Sequence, residues 1–409
     1  MSELVIGVSN IISPLCYSLL RLEPYDQCLH GCTYCYARWY RPSAQSIKPL
    51  ARNLRIFRKF ARYVRRKGLR AIPARLSTLV DPFQPVEEVF KVSLRFLEIA
   101  QRFEYPIIVC CKGTLLRRDP WKSIVEKLVD RKLLVLQVSI STLDEDLSKV
   151  LEPNAPSPRE RLALLKEFGE RGCPAILRLS PFLGTRSLYP NLETFADILK
   201  EYRVSQVIVE ALRIERERVD EFSKLLGFEP SDFEGYSLRT IDGLKPVVRI
   251  SLSKRFALYR ALREALSSRG IAFATCKEGL FNLHTAPNCC GMHYLDEDLV
   301  GYRPTLYEIY RYVSERGALK LDEVPKLFES LGDEYLWGSK LRSYPRRVSK
   351  PLRGHEKRLL RVLKNRELLS FVSPCLGLED SIIVLRMLND PAKMSSYRAR
   401  TEGSVLRGS

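Results

Sequence analysis

No uninterrupted apolar run in this sequence approaches the length needed to cross a bilayer. The first residues, MSELVIGVSNIISPLC, lack the basic start and long apolar core of a secretion signal. Both absences point to a cytoplasmic protein. Low-complexity tracts are missing, and no repeat appears beyond strand–helix units. Acid is in deficit: 48 Asp and Glu face 67 Lys and Arg, a formal net charge of +19. Abundant charge of both signs suits adaptation to heat, but an excess of one sign calls for a polyanionic partner. With 409 residues, 45% hydrophobic and 28% charged, the chain suits a large globular domain with a smaller appendage.

Short apolar, β-rich segments occur at Ser18–Leu22, Ala71–Ser77, Pro106–Cys111, Leu134–Ile140, Ala175–Ser180 and Gln206–Ala211. Segments of helical periodicity lie between them, among them Val86–Phe103, Pro158–Arg171 and Asn191–Tyr202. This alternation predicts an α/β fold of parallel units. Six units fit a partial (β/α)6 barrel better than a doubly wound sheet, although periodicity alone does not separate them. In either architecture the active site lies at the C-terminal ends of the strands. The expected layout is a barrel over 1–270, a Cys-rich loop over 271–300, a basic and mostly helical domain over 301–390, and a mobile tail over 391–409.

Two segments concentrate the positive charge. Arg52–Arg70 holds nine Lys and Arg and no acid. Its Leu54, Phe57, Phe60, Ala61 and Val64 recur at helical spacing, with Arg55, Arg58, Arg62 and Arg66 on another face. Lys340–Arg366 holds 11 Lys and Arg with Glu356 as its lone acid, and Trp337 and Tyr344 stand nearby. Basic groups mixed with aromatics suit a surface that tracks a nucleic-acid backbone and stacks bases. A solvated helix face is the plainer alternative for each.

The 11 cysteines fall into groups. In a cytosolic chain, grouped cysteines indicate metal or redox chemistry more than disulfides. Cys28, Cys32 and Cys35 have the spacing C-x3-C-x2-C just after the first expected strand. Three thiolates can hold three irons of a [4Fe–4S] cubane and leave the fourth open, and Gly31 permits a tight loop. A zinc site completed by His30 is the alternative. A second set comprises Cys276, Cys289, Cys290 and the distant Cys375. It suits a second Fe–S cluster, a zinc site with His284 or His293, or a reactive thiol beside Lys277. Cys16 and Cys173 read as buried small hydrophobes.

The stretches CLHGCTYCYAR (28–38), STLVDPFQPVE (77–87), CCKGTLLRRD (110–119), SISTLDEDLSKVLEPNAPSPRERLALL (139–165) and RLSPFLG (178–184) occur in that order. Together they resemble the radical S-adenosylmethionine (SAM) superfamily, and within it the spore photoproduct lyase-like group often labelled "DNA repair photolyase". The likeness covers roughly the first 215 residues.

The resemblance implies a [4Fe–4S] cluster on Cys28, Cys32 and Cys35, with SAM chelating the open iron. It also implies reductive cleavage of SAM to a 5′-deoxyadenosyl radical and an electron donor such as a flavodoxin or ferredoxin. Tyr36 would lie against the adenine. Ser77, with Asp81 close by, would hold the SAM amino group, and Lys112 its carboxylate. Ser139 and Ser141 would reach the ribose, and Arg178 would face SAM or substrate. Plainer roles exist for several: Asp81 in a turn or helix cap, Ser139 as a buried strand hydroxyl, Arg178 and Glu210 as an ion pair. The group's hydrogen-donating Cys near the second strand is absent here, where the chain reads ARLSTLVD (74–81). Cys110 and Cys111 are the nearest substitutes, and at most one of two adjacent strand residues enters a barrel.

The leading expectation is therefore a radical SAM enzyme acting on a nucleic acid, in DNA repair or in RNA or tRNA modification. A radical SAM enzyme acting on a protein, peptide or small molecule is the second reading. The third is a non-catalytic Fe–S nucleic-acid-binding protein.

Overall fold

The computed structural model describes residues 4–41 and 46–388. The tail expected from 391 onward lies outside the described residues.

The strands are β1 (Leu20–Arg21), β2 (Ala74–Leu76), β3 (Ile107–Cys111), β4 (Leu134–Ser139), β5 (Ala175–Phe182), β6 (Gln206–Ala211), β7 (Arg213–Glu215), β8 (Phe233–Thr240), β9 (Gly243–Ile250), β10 (Ala272–Thr275), β11 (Ala318–Lys320), β12 (Leu376–Glu379) and β13 (Ile382–Leu385). Six expected strands form a parallel sheet in chain order, and β10 joins it beside β6. The sheet thus has seven strands and runs past residue 270. This last strand is only four residues long and is separated from β6 by an inserted unit. That unit is an antiparallel sheet in the order β7-β9-β8.

Alternation along the strands splits the core into two shells. Val109 and Cys111 of β3 face outward, into the layer shared with Phe57, Phe96 and Phe168. Ile108 faces inward and meets Tyr17, Val135, Ile176, Ile208 and Ala274 across the bore. The helix Ala51–Arg66 buries the apolar residues expected of it and leaves Arg55, Arg58 and Arg62 exposed. The expected helix Val86–Phe103 is two pieces, because Lys91 adopts a left-handed conformation with φ 50°.

Residues 286–301 close the bore at the end where the strands begin. Gln206 Nε2 donates to the Asn288 carbonyl at 3.0 Å. Asp296 N–H donates to the Lys132 carbonyl at 2.9 Å, and Gly301 N–H to that of Ala71 at 2.8 Å. Gly291, with φ +73°, passes so close to Ile176 and Val135 that a Cβ would lie 2.4 and 3.0 Å from their methyl groups. The C-terminal unit continues from this plug. It contains the helices Leu306–Arg316, Val324–Ser330, Arg346–Leu363 and Arg366–Val372, and a sheet in the order β11-β13-β12. No helix among the described residues is long and apolar enough to cross a membrane.

Candidate active site

The Cys28–Cys35 loop follows β1, at the end of the sheet where the parallel strands finish. A segment more than 100 residues away latches it. Thr33 N–H donates to the Leu151 carbonyl at 2.9 Å, and Asn154 N–H to the His30 carbonyl at 3.2 Å. Asn154 Nδ2 donates to the Leu29 carbonyl at 3.1 Å. A left-handed Gly31 lets the loop turn beside Asn154. Between these contacts sits Glu152, which is buried. It accepts hydrogen bonds from Tyr34 and from Ser141 Oγ at 2.8 Å. It pairs with Arg161 at 2.5 Å and stands 3.9 Å from Lys112. Burial pushes the Glu152 pKa up, but Lys112 and Arg161 outweigh it and hold the carboxylate below its usual range. Lys112 lies over the Tyr34 ring at 5.7 Å and within charge range of Cys32. It therefore borders the cysteine loop.

The three thiols are free and half-buried. Backbone N–H groups of His30 and Asp81 point at the Cys28 sulfur. Three soft donors on a tight loop, with N–H groups aimed at sulfur and a cation alongside, fit an iron–sulfur cubane. Such ligands bind separate irons and need not converge. Among the described residues no group of three or more His, Cys, Asp or Glu converges on a single-ion position, which disfavours the zinc reading with His30.

Other expected SAM contacts have structural partners. Ser77 Oγ donates to Glu23 Oε2, and Thr78 N–H donates to Glu23 Oε1 at 3.0 Å. Asp81 Oδ1 accepts from Phe83 N–H at 2.9 Å, and Oδ2 from the N–H groups of Lys112 and Gly113. The His30 ring stands 3.4 Å from Oδ2. Asp81 thus pins the loop after β3 to the loop after β2. Ser141 positions Glu152, and the Ser139 carbonyl accepts from Arg161 at 3.0 Å. Tyr36 Oη donates to the Thr78 carbonyl at 2.8 Å, and Lys277 Nζ lies 5.5 Å over its ring.

Beneath this mouth lies a polar layer. Arg178 Nη1 donates to Gln137 Oε1 at 3.1 Å, and the Cys110 thiol donates to the same oxygen at 3.2 Å. Cys110 therefore enters the bore and Cys111 does not. Glu210 accepts from Lys277 at 2.8 Å and pairs with Arg213 at 3.3 Å and Arg178 at 3.6 Å. Burial works against its charge, yet these three cations hold its pKa at about 2. The inserted hairpin reaches the same mouth: Ile241 N–H donates to the Trp39 carbonyl at 3.0 Å, and Glu215 binds Arg38 and the Trp39 indole.

The second cysteine set is only partly assembled. Cys276, Cys289 and Cys290 meet in the bore, with 3.8 Å between the Cys289 and Cys290 sulfurs. Cys375 is elsewhere, taking an N–H from Phe281 at 3.2 Å and donating to the Gly279 carbonyl at 2.9 Å. The expected four-thiolate site therefore does not form. His284 is held by Thr275 at 2.9 Å and His293 by Asn288 at 3.2 Å, away from a shared ion position. Arg75 Nη2 donates to Cys290 Sγ at 2.8 Å, and Arg178 Nη2 lies 3.8 Å from Cys276 Sγ. The hydrogen bond from Cys289 and these guanidinium groups pull Cys276 and Cys290 below the ordinary thiol range, against burial.

Glu23, Gln137, Arg75 and the separate roles of Glu152 and Arg161 escaped the sequence reading. A charged residue inside the apolar strand at Arg75 was the available signal. The aromatics near the C-terminal basic segment are buried: Trp337 packs edge-on to Phe328 at 4.8 Å, and Tyr344 donates to the Arg70 carbonyl. They are core, and no base stacks on them.

Residues 22–185 match the model of the Radical SAM superfamily. An uncharacterised protein of Mycobacterium tuberculosis is 25% identical over 165 residues, 39% of this chain and 48% of that protein. The match thus spans about half of that relative's length. An uncharacterised protein of Acidianus two-tailed virus is 24% identical over 225 residues, 47% of this chain and 71% of its own. The structure of spore photoproduct lyase complexed with dinucleoside spore photoproduct is similar at 13% identity and a TM-score of 0.49, over 63% of this chain and 77% of that one. The matched segment carries the three-cysteine loop and strands β2 to β5.

Proposed function

We propose that this chain is a radical SAM enzyme that cleaves SAM reductively and acts on a nucleic acid, in DNA repair or RNA modification. The observation that carries the first part is the latched Cys28–Cys35 loop with Lys112 beside it at the finishing ends of the parallel strands. When bound, a [4Fe–4S] cluster supplies one electron to the SAM sulfonium, so that a 5′-deoxyadenosyl radical can abstract hydrogen from substrate. The residues do the rest. Lys112 offers an ammonium to the SAM carboxylate and keeps spare capacity, because its contact with Glu152 is long. The Tyr36 ring, fixed through Thr78, offers a flat face for the adenine. The Glu210–Lys277–Arg213 cluster and the β8–β9 hairpin fence the mouth against water. Cys110 and Arg178 face the space below it.

The nucleic-acid reading rests on charge. The two basic segments, far apart in sequence, adjoin in space: Tyr63 Oη donates to the Ser343 carbonyl at 3.0 Å. Exposed Arg55, Arg58, Lys59 and Arg62 thus neighbour the unit carrying exposed Arg346, Arg347, Lys350 and Arg353. Arg70, at the end of the first segment, binds the plug through the Glu297 and Val300 carbonyls, which sets this patch toward the end where the strands begin. A strand held there must run along the barrel flank to present a nucleotide at the mouth, which suits a long polymer.

Anaerobic protein reconstituted with iron and sulfide should convert SAM to 5′-deoxyadenosine under reduction, and Lys112→Ala should raise the SAM KM at least tenfold. Binding of tRNA or duplex DNA should weaken steeply with salt. No binding to either at low salt overturns the substrate class, and no deoxyadenosine from cluster-loaded protein overturns the enzyme. Comparing modified nucleosides in a deletion strain and its parent would identify the target.

A further inference from the structure

The helix Arg346–Leu363 carries its charge on one stripe. Arg346, Lys350, Arg353, Lys357 and Arg361 follow one another at three or four positions, and all are exposed. At about 1.5 Å per residue the stripe is about 22 Å long. The opposite face of the helix is buried through Val348, Leu352, Leu359, Val362 and Leu363. Its one acid, Glu356, turns away and accepts from the Gly338 N–H at 2.8 Å. Like charges at this spacing repel and weaken a helix. Elsewhere the surface neutralises its cations. Arg117 and Lys122 share Glu167, Arg118 meets Glu88, and Arg269 meets Asp197 and Glu193. Among the described residues no cation of the stripe forms an ion pair. A surface adapted to heat pairs its charges. This stripe does not, and its counter-charge must come from outside the chain.

The stripe is fixed to the barrel. His355, on the same helix, lies 2.8 Å from Ser13 Oγ and 2.8 Å from the Ile6 carbonyl. Arg358 Nη1 donates to Asn10 Oδ1 at 3.0 Å. These partners belong to the segment that leads into β1. The exposed aromatics among the described residues are Tyr36, Tyr40, Phe90 and Tyr189, all outside the two basic segments. Phe57, Phe60, Trp337 and Tyr344, in or beside those segments, are buried. A surface that holds a single strand adds aromatic faces for the unpaired bases. A duplex stacks its own bases and offers only phosphates and groove edges. A helix that lies on a membrane shows apolar side chains beside its cations, and here those side chains face the core.

We propose that the Arg346–Arg361 stripe grips the phosphate backbone of a double-helical arm, of RNA or DNA, and not a single strand; this rests on the nucleic-acid reading above and names the form of the polymer. Along a strand of a duplex the phosphates advance about 3.4 Å per base pair, so the stripe spans about six pairs. Exposed Arg55, Arg58 and Arg62 extend the positive surface past the Tyr63–Ser343 contact. Phosphate contacts set the register of a duplex and carry no sequence information. Choice of the target therefore falls to the mouth, where Tyr36 and Tyr40 stand exposed with ring centroids 6.2 Å apart. The substrate class is a nucleic acid with a paired arm for the stripe and an unpaired nucleotide for the mouth.

The test uses the full chain and three fluorescent probes of equal length, each longer than the stripe: an RNA duplex, a DNA duplex and a single strand that cannot pair with itself. Anisotropy across a potassium chloride series should show a duplex binding at least fivefold tighter than the single strand. The triple variant Lys350→Gln, Arg353→Gln, Lys357→Gln should lower the slope of log K against log salt by about 2.7, since each lost phosphate contact removes about 0.9. Its melting temperature should equal or exceed that of the parent, because repulsion along the helix is relieved, and this separates lost contact from lost fold. Arg269→Gln, which removes an ion-paired cation, should leave the affinity within twofold. Equal or tighter binding of the single strand overturns the proposal and leaves the nucleic-acid reading standing, whereas no binding of any probe removes both. An unchanged slope in the triple variant, or tighter binding to phosphatidylserine vesicles than to either duplex, also overturns the proposal. A preference between the two duplexes supports it and identifies the sugar.

Discussion

The chain carries two groups of cysteines that its sequence presents as alike, and their surroundings set them apart. Cys28, Cys32 and Cys35 sit half-buried on a backbone loop, held by a distant latch and by N–H groups aimed at sulfur. Cys276, Cys289 and Cys290 sit deep in the bore, held by side chains and flanked by arginines. Neither offers a single-ion position among the described residues; the first has backbone N–H groups and Lys112 beside its sulfurs, and the second faces guanidinium groups. Spacing of cysteines proposes a metal, but the groups that surround the sulfurs bear on whether one is held.

Substitutions can sharpen this contrast. Cys28→Ala should remove the cluster iron and lower deoxyadenosine formation more than a thousandfold, whereas Cys276→Ala should leave the iron content of reconstituted protein unchanged. Iron loss from Cys276→Ala would make the two groups equivalent and break the comparison.

The latch gives the next largest effect. Glu152→Gln leaves Arg161 buried without its counter-charge, and breaking such a pair costs about 3–5 kcal/mol. Chemical unfolding should show it, and the iron content should fall with it, since Tyr34 and the cysteine loop lose their anchor.

Between mouth and bore, Glu210 provides a pH test. Its folded pKa, about 2, lies below the ordinary 4.5. Its contribution is therefore complete above about 4.5 and is lost as the pH falls toward 2. The urea midpoints of the parent and Glu210→Gln should differ most near neutrality and converge through that window. A constant gap would show that Glu210 is not held ionised by Lys277, Arg213 and Arg178.

The smallest effect belongs to Cys375. Removing its contacts to Gly279 and Phe281 should cost about 1 kcal/mol and leave the iron content unchanged.

Much of the barrel was legible because parallel strands buried on both faces read as compact apolar runs. The short β10 escaped, since four residues, Ala272–Thr275, carry little periodicity. The hairpin from Phe233 to Ile250 escaped because its charged, half-exposed strands lack a clean alternation. In the site, the three-cysteine loop was plain from spacing alone. Glu152 and Arg161 stood inside a recognised motif, but pairing across a helix boundary is a property of the fold. Cys375 was grouped with the wrong partners because sequence counts thiols and does not measure distance. Trp337 and Tyr344 looked like stacking aromatics because burial was invisible.

The latch between residues 28–35 and 151–154 also bears on the order of assembly. A ribosome delivers the N-terminal side of a protein first. The three cysteines therefore emerge well before Leu151, Glu152 and Asn154, and the loop has no final shape until β1 through β4 have been synthesised. Iron and sulfide are best received after that point. Cluster assembly on this loop is thus expected to follow synthesis of residues 151–154, and a truncation ending before residue 150 should bind iron poorly even though every ligand is present.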